Sequence, residues 1–309
     1  MAEKLYDIVV VGGGPGGLTA GLYGARANRK TIVIERLATG GQIANTHEVE
    51  DYPGFELISG AELAMKMTDH AKKFGLEIVS DEVTEVYTEG DDRLVATASG
   101  DIYRCKAVIL ATGGSPNLLD VPGEKEYLGR GVSYCAICDG AFFRDQIMAV
   151  VGGGDAAVEE GMFLTNFARK VILIHRRDKL RAQKLIQERA FKNPKMEFIW
   201  DTVVESINGN DKVESLSLKN VKTGEKSTLE VGAIFVFVGF VPNSGLVREP
   251  LKKNESGYII TNAHMETSTE GIYAIGDVRE QLVKQITNAV GDGTTAAVAA
   301  EKYIEELEG

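Results

Sequence analysis

Three short segments hold residue types whose spacing could do chemistry. Cys135-Ala136-Ile137-Cys138 sets two thiols three positions apart. That spacing closes a small disulfide ring and can lower the pKa of one thiol. A structural zinc would need four ligands. Beyond Cys105 the chain offers His47, His70, His175 and His264, and none pairs with another at ligand spacing. The Cys pair therefore reads as a two-electron redox couple, which needs a two-electron donor. Asp139 follows directly and could hold or donate the proton when a thiolate leaves, although Asp139-Gly140 also reads as a turn signal. Cys105 reads as a small buried hydrophobe.

The other two segments suggest where the electrons come from. Gly12-x-Gly14-x-x-Gly17 fits a dinucleotide fingerprint. Its first Gly allows the tight turn, its second lets a pyrophosphate approach the backbone, and its third lets helix and strand pack closely. The anion then lies on a helix N-terminus. Glu35 ends the following strand, where it could accept hydrogen bonds from ribose hydroxyls. The pattern returns as Gly152-x-Gly154-x-x-Ala157, 140 positions later, and His175 stands 140 positions after Glu35. The second copy carries His175-Arg176-Arg177 in place of the acid, with Arg181 one turn on. An acid would repel a 2′-phosphate, whereas guanidiniums grip one in bidentate fashion. The second site therefore reads as an NADP(H) site, with a solvated basic turn as the plainer reading. The first site, together with Gly276-Asp277 late in the chain, has what a split FAD site needs. Flavin plus nicotinamide means hydride transfer.

The elements that must position these residues can be read from periodicity. Ile8–Val11 is a short β-branched run, helix formers follow from Leu18 to Arg26, and 31–35 (TIVIE) is a second strand. The second copy reads IMAVVGGGDAA over 147–157, a strand running into the glycine turn, followed by helix formers from Val158 to Phe167 and a strand at Val171–Ile174. Ala107–Gly113 and Ala233–Gly239 are buried-looking strands ending in Gly, each followed by Pro-Asn (Pro116-Asn117 and Pro242-Asn243). Both look like crossing points between domains. Tyr273–Ile275 is a further short strand, and a last helix is expected from about Thr294 to Leu307. Ser80–Asp101 reads as a small β-meander and Asn208–Lys226 as a hairpin.

The expected fold class is α/β, with two Rossmann-like dinucleotide-binding domains, one inserted into the other. The outer domain comprises 1–115 and 245–309 and would bind FAD. The inner, 116–244, would bind NADPH and carry the Cys pair. The inner unit shows no C-terminal strand of its own resembling YAIGD, which favours insertion over tandem domains. The length of 309 residues suits two domains. Gly, at 35 residues, exceeds the usual share of roughly 7 %, while Pro is scarce at 7, so the extra Gly belongs in specific turns. A net charge of −11 disfavours nucleic acid as a partner. No membrane span or signal segment is expected. Three Cys are too few for a disulfide framework, which suggests a reducing, cytoplasmic setting.

With these motifs in hand, the sequence resembles the low-molecular-weight, bacterial-type thioredoxin reductases over nearly its whole length. The resemblance runs from VVVGGGPGGLTAGLYGAR through GGQ (Gly40–Gln42), ATGGSPN, CAICDG, GGGDAAVEE and HRRDKLRA to GDV. The combination of CAICDG with HRRDKLRA is specific. It implies an FAD-dependent enzyme passing electrons from NADPH to its own disulfide and on to thioredoxin, as a homodimer. It implies that Cys138 faces the flavin, Cys135 attacks the partner's disulfide and Asp139 is the acid/base. Glu35, Arg36, Gly41, Gln42, Asp51 and Asp277 fall on the FAD side, with Lys284, Gln285 and Ile286 near the flavin. His175, Arg176, Arg177 and Arg181 fall on the NADPH side. Three departures stand out: Lys284-Gln285-Ile286 for the usual Arg-Gln-Ala, Asp51 for Asn, and Ile137 for Thr or Val.

Dithiol and nicotinamide both belong to the inner domain, yet both must reach one flavin in the outer domain. Rigid rotation of the inner domain about Gly113–Asn117 and Gly239–Gly245 would let them alternate. The alternative is a related flavoprotein disulfide reductase or thiol oxidase serving another thioredoxin-like or peroxidase partner. A nucleotide-sensing protein without enzyme activity would have no use for Cys135 and Cys138.

Overall fold

The structure is a computed structural model and describes residues 3–46 and 49–309. His47, weighed above as a metal ligand, lies outside the described residues. The chain divides into two compact units, Met1–Ser115 with Val241–Gly309, and Pro116–Phe240. The crossing strands Gly114–Pro116 and Phe240–Pro242 pair with each other.

In the first unit, a five-stranded parallel sheet runs in the order Ile272–Ala274, Ala107–Leu110, Ile8–Val11, Thr31–Glu35, Glu77–Ser80. Its inner strands are continuous apolar runs because both faces are covered. Val9, Val10, Ile32, Val33, Val108 and Ile109 are fully buried, each worth about 1.5–3 kcal/mol of hydrophobic stabilisation. The 80–101 stretch forms the expected meander, with antiparallel strands Val83–Glu89, Asp92–Thr97 and Ile102–Cys105. Cys105 is buried beneath it, with its Sγ 3.5 Å from the Arg93 carbonyl, and burial pushes its thiol pKa up.

The second unit repeats this sheet in the order Val132–Ser133, Ala233–Phe237, Ile147–Gly152, Lys170–Ile174, Met196–Ile199, again parallel. The expected hairpin is larger than 208–226. Strands Thr202–Gly209, Val213–Asn220 and Lys226–Glu230 make a three-stranded antiparallel sheet. The inner unit does have a fifth strand. Val132–Ser133 takes the edge place that Ile272–Ala274 takes in the first unit, but it precedes the glycine-rich turn in sequence.

Three helices begin earlier than the sequence reading has them, and one of them also ends earlier. The glycine-turn helices start earlier, at Pro15 and Asp155, ending at Arg26 and Leu164. The C-terminal helix is Ile286–Glu308, two turns longer at its start than expected. Gly291 and Gly293 lie inside it. At Gly293 a Cβ would lie 2.4 Å from the Gly16 carbonyl oxygen. That glycine serves close packing between two helices and does not end one.

Candidate functional site

All parallel strands of a sheet end at one edge, and the candidate residues of each unit follow those ends. In the first unit, Gly12 follows Ile8–Val11 at φ +106°, and a Cβ there would meet the Ala111 carbonyl oxygen at 2.4 Å. A Cβ on Gly17 would lie 1.9 Å from the Gly12 carbonyl oxygen. Around Gly14 the space is open, with no atom within 4 Å of a Cβ. Helix Pro15–Arg26 begins with no side-chain cap and no acid in its first turn, so its N–H groups face that space. These features fit a pyrophosphate.

Glu35 closes the next strand and turns back over this loop. One carboxylate oxygen accepts from the Gly13 N–H at 2.6 Å and the other from the Leu37 N–H at 2.8 Å. Each oxygen keeps a lone pair for a ribose hydroxyl. The Gly40 N–H donates to the Gly13 carbonyl, and a Cβ on Gly41 would lie 3.2 Å from Gly14 Cα. The Gly41–Asn45 turn is thereby set beside the glycine loop. Gln42 is exposed and reaches the Gly114 carbonyl at 3.4 Å.

On the other side of the same sheet edge, Gly276-Asp277 follows Ile272–Ala274. Burial pushes the Asp277 carboxyl above its ordinary pKa, while Lys284 pulls it down. The Lys284 ammonium donates to the Asp277 carbonyl at 3.0 Å and stands 3.7 Å from the Tyr258 ring centroid. Gln285 caps the last helix, and Ile286 packs on the cluster of Ile43, Val49, Ile58 and Leu63. Two proposed FAD residues are not drawn in by any side-chain bond. Arg36 pairs with Glu82 at 3.5 Å, and Asp51 is exposed in the loop closed by the Val49–Ile58 bridge.

The second unit has the same turn with different residues on it. Gly152 and Gly154 repeat the geometry, and Ala157 takes the third place, with its Cβ 2.6 Å from where a Gly152 Cβ would be. Space around Gly154 is open, and helix Asp155–Leu164 has no side-chain cap. His175 lies where Glu35 lies. Its ring covers Gly153, whose Cβ would meet it at 2.3 Å, and Trp200 meets it edge-on at 6.4 Å. Its Nε2 is buried with no partner. Burial first, then the charges of Arg181, Arg177 and Arg176, push its pKa down. The three arginines are exposed, and among the described residues none of their guanidiniums makes an ion pair. This cationic edge fits a 2′-phosphate.

Cys135 and Cys138 form a disulfide, with Cα atoms 5.4 Å apart. They follow the edge strand Val132–Ser133, so the disulfide holds the place that Gly276-Asp277 holds in the first unit. Ser133 fixes the approach: its Oγ accepts from the Cys135 N–H at 3.0 Å and donates to the Cys135 carbonyl at 3.1 Å. Cys138 is the more exposed sulfur, and its N–H donates to Cys135 Sγ at 3.2 Å. Asp139 is half-buried one residue on. Tyr134, just before, donates its hydroxyl to Glu124 at 2.8 Å. Glu124 is almost fully buried and also accepts from the Leu119 and Asp120 N–H groups.

Sequence reading passed over three kinds of residue here. The middle glycines, Gly13 and Gly153, are set by the side chains lying across them. Glu124 and Asp292 are buried carboxylates bound by several donors. Glu160 sits on the helix behind the disulfide. A carboxylate inside an apolar helical face was the available signal for the last.

Sheets of this order, with a dinucleotide turn in each unit and a disulfide at one sheet edge, define a nucleotide-dependent disulfide oxidoreductase. The chain belongs to the pyridine nucleotide-disulphide oxidoreductase family, whose pattern matches residues 6–293. It is 50 % identical to a thioredoxin reductase of Bacillus subtilis, over 99 % of this chain and 97 % of that one. Among solved structures, the thioredoxin reductase of Lactococcus lactis (FR conformation) is 49 % identical, covers 97 % of this chain and 99 % of its own, and gives a TM-score of 0.95. The thioredoxin reductase of Streptococcus pyogenes is 50 % identical over 99 % and 100 %, with a TM-score of 0.65.

Proposed function

We propose that this chain is an NADPH-dependent thioredoxin-disulfide reductase that uses FAD. The observation that carries the reading is the Cys135–Cys138 disulfide at the same sheet edge as a glycine turn flanked by three exposed arginines that make no ion pair among the described residues. Residues 1–115 and 245–309 bind FAD, and residues 116–244 bind NADPH. Gly12, Gly14 and Gly17 let the pyrophosphate onto the first helix, with Glu35 on the ribose and Asp277 on the flavin's hydroxylated chain. Arg36, Gly41, Gln42 and Asp51 line that cofactor, and Lys284, Gln285 and Ile286 lie along its edge. Gly152, Gly154 and Ala157 form the second turn, with Arg176, Arg177 and Arg181 on the 2′-phosphate and His175 beneath them.

Bound FAD supplies a two-electron carrier between the nicotinamide and the disulfide. The chain does the rest. Cys138 takes the electron pair as the S–S bond breaks, Asp139 moves the proton, and Cys135 attacks the disulfide of thioredoxin. The exposed arginines argue for a phosphorylated nicotinamide donor, and so against an oxidase without one. The inner unit rotates about the crossing strands between half-reactions. Unequal TM-scores for two relatives of nearly equal identity support a fold whose units change their mutual arrangement. The same reading gives a homodimer working in the cytoplasm. Among the described residues no helix is long and apolar enough to cross a membrane.

Anaerobic titration with NADPH and with NADH, following the flavin band, tests the reading. NADPH should bleach the wild type and a Cys138→Ser variant, and NADH should do so far less well. Only the wild type should then reduce thioredoxin. Colourless protein that cannot be loaded with flavin would overturn it.

A further inference from the structure

The residue just before the disulfide is braced by a buried acid that the electron path does not use. Glu124 is 1 % exposed and accepts three hydrogen bonds. Its Oε1 accepts from the Leu119 N–H at 2.8 Å and from the Tyr134 hydroxyl at 2.8 Å, and its Oε2 accepts from the Asp120 N–H at 2.7 Å. Two of these donors lie on the segment that follows the crossing strand Gly114–Pro116, and the third precedes Cys135. Asp120 takes φ +56°, a left-handed conformation that costs a non-glycine residue free energy and persists where its surroundings hold it.

The chain around Glu124 is itself fixed. The Pro122 carbonyl accepts from the Ile207 N–H at 2.9 Å, and the Tyr127 hydroxyl donates to the Gly209 carbonyl at 2.7 Å. Between them Gly123, at φ +87°, lies so close that a Cβ would fall 2.0 Å from the Ile207 carbonyl oxygen. The acid thus stands on strand Thr202–Gly209, within the same unit, and reaches across to Tyr134. Burial, then Glu124, push the Tyr134 hydroxyl pKa up, so that hydroxyl stays a donor. An ionised carboxylate offers acceptors only, which suits three converging donors.

The state that needs bracing is the reduced one. While the S–S bond exists, it ties Cys135 to Cys138. Reduction removes that tie. Strand Val132–Ser133 is two residues long and lies at the sheet edge, and a single helical turn follows it. The Ser133 bonds to Cys135 are local and span two residues. The Tyr134–Glu124 bond reaches ten residues back, to chain fixed on a different sheet.

We propose that Glu124 is a positioning residue for the dithiol: acting through Tyr134, it keeps Cys135 within closing distance of Cys138 after the S–S bond is broken. This rests on the redox reading above. In that reading Cys135 attacks the partner's disulfide, forming one S–S bond and breaking one. Cys138 then attacks Cys135, which re-forms the bond of this chain and frees the partner's second sulfur. Each leaving thiolate takes a proton. The ease of this closure is the effective concentration of one sulfur at the other, and a brace raises it by removing freedom from the open form.

The test equilibrates flavin-loaded wild type, Tyr134→Phe, Glu124→Gln and the double variant with dithiothreitol and its cyclic disulfide, without oxygen or NADPH. Dithiol and disulfide forms are counted by alkylation after an acid quench. Dithiothreitol gives up two electrons and two protons in this exchange, and the two sulfurs take them. Phe keeps the ring and removes only the hydroxyl. Its disulfide should be about three- to tenfold less favoured than that of wild type, the range one hydrogen bond can supply. A hydroxyl that served stability alone would act equally on both redox states and leave this equilibrium unmoved. A Tyr134→Phe disulfide as favoured as that of wild type, or more so, would therefore overturn the proposal. The double variant should shift no further than the larger single variant, and additive shifts would overturn the action of Glu124 through Tyr134. If the Glu124→Gln chains do not fold, the Tyr134→Phe constant still decides. Failure of the underlying reading shows separately, as protein that NADPH does not bleach.

Discussion

The two units of this chain share one sheet order and one glycine turn, and they differ at the strand ends. Where the first unit sets Glu35 over Gly13, the second sets His175 over Gly153. Where the first unit's edge strand leads to Gly276-Asp277 and a helix of 23 residues, the second's leads to the disulfide and a single helical turn. The comparison teaches that the scaffold fixes where a nucleotide can lie, while a few side chains at strand ends decide which nucleotide and what it faces. The edge place shows this best. It is filled from the C-terminal segment in one unit and from the segment after the first crossing in the other, so the Cys pair occupies the place that Gly276-Asp277 holds in the first unit.

The largest break in this comparison comes from removing a sulfur. Cys135→Ser or Cys138→Ser should abolish thioredoxin reduction, by more than about a thousandfold, while NADPH still bleaches the flavin. Loss of bleaching would mean that the disulfide is needed for nicotinamide or flavin binding.

Next come the third positions of the two glycine turns. Gly17→Ala would push a Cβ to 1.9 Å from the Gly12 carbonyl oxygen. That overlap is with backbone, which cannot swing away, so the variant should lose flavin and destabilise by about 3 kcal/mol or more. Ala157→Gly in the second turn should cost only about 1 kcal/mol and leave NADPH use intact. Denaturant midpoints and flavin content check both. Equal effects would mean that the two turns are not distinguished by their packing.

Replacing Arg176 and Arg177 together with Ala should weaken NADPH by about ten- to a hundredfold, as expected for losing charge-assisted bonds to a phosphate. NADH should be little affected, so the preference narrows. Steady-state KM values for both nucleotides measure it. Unchanged discrimination would take the 2′-phosphate away from this edge.

Much of this comparison was legible in the sequence. The repeat at fixed spacing gave both glycine turns, and the acid and the basic run marked the ribose ends, because these are local patterns set by covalent neighbours. What escaped was non-local. Val132–Ser133 is two residues long, and it is a strand only because Ala233–Phe237 lies beside it. Gly13 and Gly153 look like free positions until the side chains of Glu35 and His175 are laid across them. The start of the last helix was hidden because Gly291 and Gly293 carry breaker chemistry, while the close approach of Gly16 favours glycine at 293. Glu124 looks like a surface acid on composition alone, since nothing in the linear chain shows the Leu119 and Asp120 N–H groups that hold it.

The smallest expected effect concerns His175, and it separates the two ribose readers by pH. Burial and three arginines depress its pKa, so the folded state favours the neutral ring. Stability from this group is therefore complete above the unfolded value of about 6.5 and is lost as pH falls toward the folded value. Wild type should lose more stability between about pH 7.5 and 5.5 than His175→Gln does. Trp200, the single tryptophan and 6.4 Å from the His175 ring, reports the unfolding of this unit by fluorescence. A 2′-phosphorylated adenosine bound at the arginines cancels part of the charge that depresses the ring. On top of the stabilisation that binding gives both proteins, it should therefore narrow the difference in acid sensitivity between wild type and the Gln variant. An acid limb identical in the two proteins would show that His175 is not held neutral against the glycine turn.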